Sequence, residues 1–249
     1  MLVSMTTIAQ FYSALHRGYR GDLPFYKSIC RDATRVLELG CGYGRITQEL
    51  AQVCHRIIGL DEDPDMLALA RARLDARPQD NVELVCSDMA DLSLAAPFDR
   101  IVIPFTTAFC LSRTRLQACL TRCADRLSAE GILALDVYPA EIFHESEISD
   151  VDFEYFTTIQ VAGVDYAVSE KTAIKRDEKV IEVTYRHTPT HSQDNPNIVE
   201  YAIEHHYVLM DEWPQLLKTA GFSHWEFYGD FNGSAVDIDA DRFVVLAGI

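Results

Sequence analysis

The run Val36-Leu37-Glu38-Leu39-Gly40-Cys41-Gly42-Tyr43-Gly44-Arg45, followed by Ile57-Ile58-Gly59-Leu60-Asp61, constrains this chain more than any other feature. An apolar stretch passes into a glycine-rich turn and a helical pattern, and a second apolar stretch ends in a carboxylate. Backbone that runs against a ligand needs the space of a missing Cβ and the freedom to take positive φ, which accounts for glycines at 40, 42 and 44. Glu38 stands two residues before the first glycine, so the pattern is E-x-G-x-G-x-G rather than the dinucleotide spacing G-x-G-x-x-G. The unit reads as strand, turn, helix and strand, with a site for an adenosine-bearing cofactor at the turn.

From residue 35 to about 138, short apolar runs alternate with helical patterns, which predicts a parallel sheet built from βαβ crossovers. Strands are expected at 35–39, 56–61, 82–86, 98–105 and 131–138, and helices at 45–54, from Pro64 onward, and at 113–127. Beyond Tyr138 the pattern changes to consecutive strand-like runs at 153–161, 166–174, 180–187 and 198–209, separated by turn residues that include the polar stretch 190–197. These predict an antiparallel insertion. A helix around Trp213, Leu216, Leu217 and Ala220, stopped by Gly221, then returns the chain to core-type strands at 222–228 and 243–247.

On the glycine motif, on Asp61 and on this order of elements, the chain resembles the class I S-adenosylmethionine-dependent methyltransferases, in particular bacterial small-molecule enzymes of natural-product type. The resemblance implies an α/β, doubly wound, mostly parallel seven-stranded sheet carrying an antiparallel β insertion. It divides the chain into an N-terminal helical lid at 1–34, a cofactor-binding core at 35–140 and 210–249, and an inserted substrate cap at 141–209. Tyr12 and Tyr19, from an N-terminal segment crowded with aromatics, are the lid residues expected to reach the cofactor.

The cofactor makes three demands. Its ammonium and carboxylate are expected at the backbone of Gly40, Cys41 and Gly42 and at the N-terminus of the following helix. Glu38 is expected to order that loop, with Arg45 either its partner or a contact to the cofactor carboxylate. The ribose diol calls for a carboxylate at the end of the second strand, Asp61, with Glu62 the flanking alternative. Adenine calls for an acceptor and apolar cover, which Asp88 and Met89 offer together with Met66. After the fourth strand, Ile103, Pro104 and Phe109 are candidates for cofactor and acceptor contacts. The Asn-Pro-Pro-Tyr motif of many amide and adenine-amino methyltransferases is absent there.

Composition narrows the acceptor. The 249 residues carry 22 Lys plus Arg against 38 Asp plus Glu, a formal net charge of -16, which disfavours a phosphate-backbone substrate. The seven cysteines are scattered through apolar contexts without zinc spacing, and read as buried small hydrophobes in a reducing compartment with no metal. No apolar run is long enough for a membrane span and no secretory leader is evident, so a soluble, cytoplasmic protein is expected, with monomer and homodimer both open.

The resemblance implies a methyltransferase that converts S-adenosyl-L-methionine to S-adenosyl-L-homocysteine while methylating nitrogen or oxygen on a small planar metabolite. An azaheterocyclic precursor of the toxoflavin kind is one such acceptor. Should the acceptor need deprotonation, His144, Tyr138, Asp136 and His187 are the candidate bases. The alternatives are an NAD-dependent oxidoreductase, disfavoured by the glycine spacing, and a cofactor-binding relative that transfers no methyl group.

Overall fold

A computed structural model describes residues 7–95, 97–147, 150–191, 197–237, 240 and 242–249. In chain order the elements are α1 (Ile8–Leu15), α2 (Asp22–Cys30), β1 (Val36–Leu39), α3 (Arg45–Leu50), β2 (Ile57–Asp61), α4 (Pro64–Ala76), β3 (Val82–Cys86) and β4 (Phe98–Ile103). A 3-10 turn (Thr107–Cys110) leads into α5 (Arg113–Arg126), β5 (Leu127–Val137) and α6 (Glu141–Glu145). Then come β6 (Asp150–Val161), β7 (Val164–Lys175), β8 (Val180–Pro189), β9 (Val199–His206), α7 (Trp213–Ala220), β10 (His224–Tyr228) and β11 (Phe243–Gly248).

The chain forms two compact units, one of residues up to Arg17 with Phe143–Tyr207, the other of Gly18–Ile142 with Val208–Ile249. Residues 1–34, read from the sequence as one helical segment, are thus divided: α1 groups with the inserted strands and α2 with the core.

The larger unit is built on a seven-stranded sheet in the order β10-β11-β5-β4-β1-β2-β3. Strands β1 to β5 run parallel, whereas β11 pairs antiparallel with both β5 and β10. Strand β1 is buried throughout, as a central strand covered on both faces must be. Tyr26 and Cys30 of α2 pack with Ile46 and Leu50 of α3 over Val36, Ile57, Val102 and Val244. Because the parallel strands share a direction, the residues following β1, β2, β3, β4 and β5 emerge along one carboxyl edge. Arg242, just before the antiparallel β11, reaches the same edge, since Phe243 is in register with Val137 at the end of β5.

The smaller unit is a four-stranded antiparallel sheet in the order β6-β7-β8-β9, with α1 packed on it. Phe11 meets Ile159, Val161, Val168 and Tyr185 in its core. The polar turn expected at 190–197 lies largely outside the described residues. Five of the seven cysteines are buried as expected, but Cys86 and Cys110 are exposed. Both end their elements at the carboxyl edge, where the sheet no longer covers them. No described helix is long and apolar enough to cross a membrane.

Candidate functional site at the carboxyl edge

The loop after β1 carries all three glycines at positive φ, 68° at Gly40, 52° at Gly42 and 74° at Gly44, each for its own reason. A Cβ on Gly40 would lie 2.2 Å from Cγ2 of Thr107, and one on Gly44 would lie 3.1 Å from Cβ of Ala70 in α4. Gly40 and Gly44 therefore allow close packing of protein on protein. A Cβ on Gly42 would meet nothing within 4 Å. The middle glycine presents bare backbone to open space, as a ligand-facing position must.

Asp61 closes the opposite side of the loop. Its Oδ2 accepts from the Gly42 amide at 2.7 Å and its Oδ1 from the Asp63 amide at 3.0 Å. Burial raises its pKa above the usual carboxylate value, against the lowering effect of those two amides. Each oxygen keeps a second lone pair, so the carboxylate retains the capacity to accept from two hydroxyls. The Cys41 amide donates to the Leu60 carbonyl at 2.9 Å. Of the backbone groups of Gly40, Cys41 and Gly42 expected to meet a cofactor's amino acid moiety, the amides of Cys41 and Gly42 are turned toward β2 and its end.

Glu38 is buried and accepts from the Thr47 hydroxyl at 2.6 Å, a bond that ties β1 to the first turn of α3. Burial pushes its pKa up to about 8, while the Thr47 donor and the Arg45 charge act in the other direction. Arg45 forms its ion pair with Asp22, at 2.7 Å, rather than with Glu38. Its guanidinium also stands over the Phe105 ring.

Further along the edge, Asp88 binds the Ala90 amide with one oxygen and Arg115 with the other, both within 2.8 Å. Met89 and Met66 are half-buried beside their loops, and Asp63 caps α4 through the amides of Asp65 and Met66. Glu62 is exposed, 3.8 Å from Arg115. Ile103 and Pro104 are buried, and Phe109 is fully buried with the Tyr138 ring edge-on to it at 5.1 Å.

After β4 the backbone takes positive φ at two residues with side chains, 61° at Phe105 and 62° at Thr106. Asp136 holds them: Oδ1 accepts from the Phe105 amide at 2.8 Å and from the Tyr26 hydroxyl at 2.6 Å, and its carbonyl accepts from the Thr106 amide at 3.0 Å. Arg242 donates to the Thr106 hydroxyl at 3.1 Å and lies over the Tyr19 ring, 3.2 Å from its centroid. Tyr19 in turn packs on Phe105 at 4.6 Å, so two rings are flanked by two guanidiniums. Burial raises the pKa of Asp136, with the Arg242 charge the largest opposing influence.

Sequence reasoning brought Glu38, the glycines, Asp61, Asp88 and Tyr19 to this edge but did not find Asp22, Tyr26, Phe105, Thr106 or Arg242 as site residues. The available signal was an arginine directly before an apolar strand in an acidic chain. Tyr12, His144 and His187 belong to the antiparallel unit. There the Tyr12 ring packs on His16, His144 Nδ1 lies 2.8 Å from the Tyr207 hydroxyl, and His187 is buried with its ring stacked on Tyr201. A groove of about 610 Å³ between α5 and α7, lined by Arg113, Gln117, Thr121 and Gln215, lies on the outer helices rather than at the carboxyl edge. Among the described residues no group of three or more His, Cys, Asp or Glu side chains is placed to hold a metal ion.

Residues 36–131 match the family described as methyltransferase domain. A protein of Geobacillus sp. (strain WCH70) bearing the name of a methyltransferase is 25% identical over 224 residues, 86% of this chain and 84% of that protein. Two further likenesses cover only part of either chain. The chain spans 41% of a malonyl-[acyl-carrier protein] O-methyltransferase of Bacillus cereus at 32% identity. It spans 52% of the dTDP-3-amino-3,6-dideoxy-alpha-D-glucopyranose N,N-dimethyltransferase of Streptomyces fradiae at 28% identity. In fold, it matches an S-adenosylmethionine-dependent methyltransferase of Clostridium acetobutylicum with a TM-score of 0.81 over 97% of both chains, at 14% identity. An S-adenosylmethionine-bound amino pentose methyltransferase of Micromonospora echinaspora matches with a TM-score of 0.69 over 91% of this chain and 88% of that one, at 20% identity.

Proposed function

We propose that this chain, an S-adenosylmethionine-dependent methyltransferase with the class I fold, methylates a nitrogen or oxygen of a small metabolite, with an amine of a sugar-like natural-product intermediate the first class to test. The observation that carries the site is the bare backbone at Gly42, bonded to the carboxylate of Asp61 and open on its other face. The acceptor class leans on the amino-sugar relatives named above. Nothing in those likenesses favours an azaheterocycle of the toxoflavin kind, and the methyltransferase domain displaces the nicotinamide alternative.

S-adenosylmethionine supplies a methyl group on a positively charged sulfur, which departs as a neutral thioether. The chain's own residues have to bind, align and exclude water. Asp61, with acceptor capacity left on both oxygens, would take the ribose hydroxyls, and the Gly42 face would give the backbone clearance that a close ligand needs. Half-buried Met66 and Met89 offer polarisable apolar cover for a base. Asp136 is fully buried and already takes two donors on one oxygen, so it is not presented as a general base. An amine that is neutral at working pH needs none: it attacks with its own lone pair, and solvent takes its proton afterwards. The pH dependence of kcat/KM is then expected to follow the ammonium pKa of the acceptor, and to move with it from one acceptor to another.

Separate calorimetric titrations with S-adenosylhomocysteine and NAD test the cofactor, and release of S-adenosylhomocysteine across amino sugars, hydroxylated metabolites and heteroaromatic amines tests the acceptor. Saturable binding of the first ligand alone, and turnover on amines, are the expected results. Nicotinamide binding without S-adenosylhomocysteine binding would overturn the reading. Cofactor binding with no labelled methyl group in the intact mass of any acceptor would reassign the chain to a non-methylating relative.

A further inference from the structure

We infer that Asp136 is a positioning residue for methyl transfer, fixing the loop after β4 against the glycine loop; the inference rests on the cofactor site proposed above. The loop it fixes is strained, because Phe105 and Thr106 both hold positive φ with a side chain present. Such a conformation persists only where surrounding groups over-determine it, and Asp136 provides two of the bonds that do so. Its Oδ1 takes the Phe105 amide at 2.8 Å, and its main-chain carbonyl takes the Thr106 amide at 3.0 Å.

The consequence reaches the cofactor loop through Thr107. Its hydroxyl donates to the Pro104 carbonyl at 2.6 Å, and its Cγ2 occupies the place where a Cβ of Gly40 would be, 2.2 Å away. A Phe105–Thr106 segment that relaxed out of positive φ would carry Thr107 off Gly40 and loosen the loop that the cofactor faces. The same carboxylate also holds α2 through the Tyr26 hydroxyl at 2.6 Å. Its second oxygen, Oδ2, is buried without a hydrogen-bond partner, and its salt-bridge partner is Arg242, 4.0 Å away. A buried carboxylate compensated this thinly is a costly way to fill a core. Its place beneath two strained residues gives it a reason to be there. A role as proton acceptor does not fit, since the side chain is fully buried and the oxygen with two donors is the one aimed at the loop.

The distinguishing property is geometric acceptance, which an amide oxygen can supply as well as a carboxylate. S-adenosylhomocysteine affinity, measured by calorimetry with thermal melting alongside, is the readout. Asp136→Asn is expected to stay within about threefold of the unmodified chain, whereas Asp136→Ala weakens binding roughly tenfold or more, because the Phe105 amide loses its acceptor. Phe105→Gly combined with Asp136→Ala is expected to recover part of that loss, since glycine holds positive φ without a clamp.

Binding by the unmodified chain together with unchanged affinity in folded Asp136→Ala overturns the inference. So does a tenfold loss in Asp136→Asn at an unchanged melting temperature, which would mean that charge rather than acceptor geometry matters. If Asp136→Ala does not fold, the double variant decides: folding with restored affinity supports the clamp, and failure of both overturns it. Absence of S-adenosylhomocysteine binding by the unmodified chain would instead remove the cofactor reading itself.

Discussion

Two loops at one edge of the seven-stranded sheet reach the same backbone conformation by opposite means. After β1, positive φ is taken by Gly40, Gly42 and Gly44, which pay no steric penalty for it. After β4 it is taken by Phe105 and Thr106, for which left-handed backbone costs about 1–2 kcal/mol per residue. The first loop is stable because of what it lacks. The second is stable because of what surrounds it: Asp136, 31 residues after Phe105, and Arg242, 136 residues after Thr106. A ligand-facing loop can thus be specified by its own residues or imposed from elsewhere in the chain, and the two designs respond differently to substitution.

The largest expected effect falls on the imposed loop. Arg242→Met removes the cation beside the buried Asp136 carboxylate and should lower folding stability by about 3 kcal/mol, read by denaturant unfolding. A change below about 0.5 kcal/mol, ordinary for a surface substitution, would erase the contrast between the loops. Gly42→Val should do the reverse, weakening S-adenosylhomocysteine binding by about 100-fold or more, equivalent to roughly 2.8 kcal/mol. Its stability loss should be limited to the cost of left-handed backbone for a residue with a side chain, about 1–2 kcal/mol, because the new Cβ meets no protein atom. Gly40→Val is the control that should chiefly destabilise, given Thr107 in the same space.

Asp61→Ala comes next, with an expected loss of about 1.5–3 kcal/mol in cofactor affinity from charge-assisted bonds to the ribose. An unchanged dissociation constant in the folded variant would remove that assignment. The remaining effect is a slope against pH and concerns Glu38. Its folded-state pKa is raised from 4.5 to about 8, so the folded chain binds a proton that the unfolded chain has released over that interval. Stability contributed by this group is therefore present below pH 4.5 and is lost as pH rises toward about 8. Glu38→Gln still accepts from Thr47 and should flatten that slope, leaving the variant more stable than the unmodified chain at pH 9. Parallel stability-versus-pH curves for the two proteins would contradict it.

The contrast also explains what could be read before the structure was known. The parallel strands, the change to antiparallel pairing after Tyr138 and the Glu38–Asp61 unit were legible because each is carried by contiguous residues whose spacing has a direct physical meaning. The pairing of Arg45 with Asp22 was not, since Glu38 and Asp22 are both acids within reach of the same helix start and only packing chooses between them. Nor was the direction of the Cys41 and Gly42 amides, which depends on how closely β2 approaches the loop. The strained pair after β4 gave no local signal at all. Phe and Thr are poor choices for left-handed backbone, and the donors and acceptors that hold them there are remote in sequence. The exposure of Cys86 and Cys110 escaped notice for a related reason: apolar neighbours in sequence say little about the last residue of an element at a sheet edge.

The antiparallel placement of β11 beside β5 has a consequence for a chain made one residue at a time. The glycine turn and its aspartate are within 21 positions of each other and can take shape as soon as the first two strands have left the ribosome. The arginine that fastens the neighbouring turn emerges far later, directly before Phe243, which opens the last strand to insert between its partners. One turn at the carboxyl edge thus has all its defining residues early in synthesis, whereas the other lacks its arginine until the last strand is made.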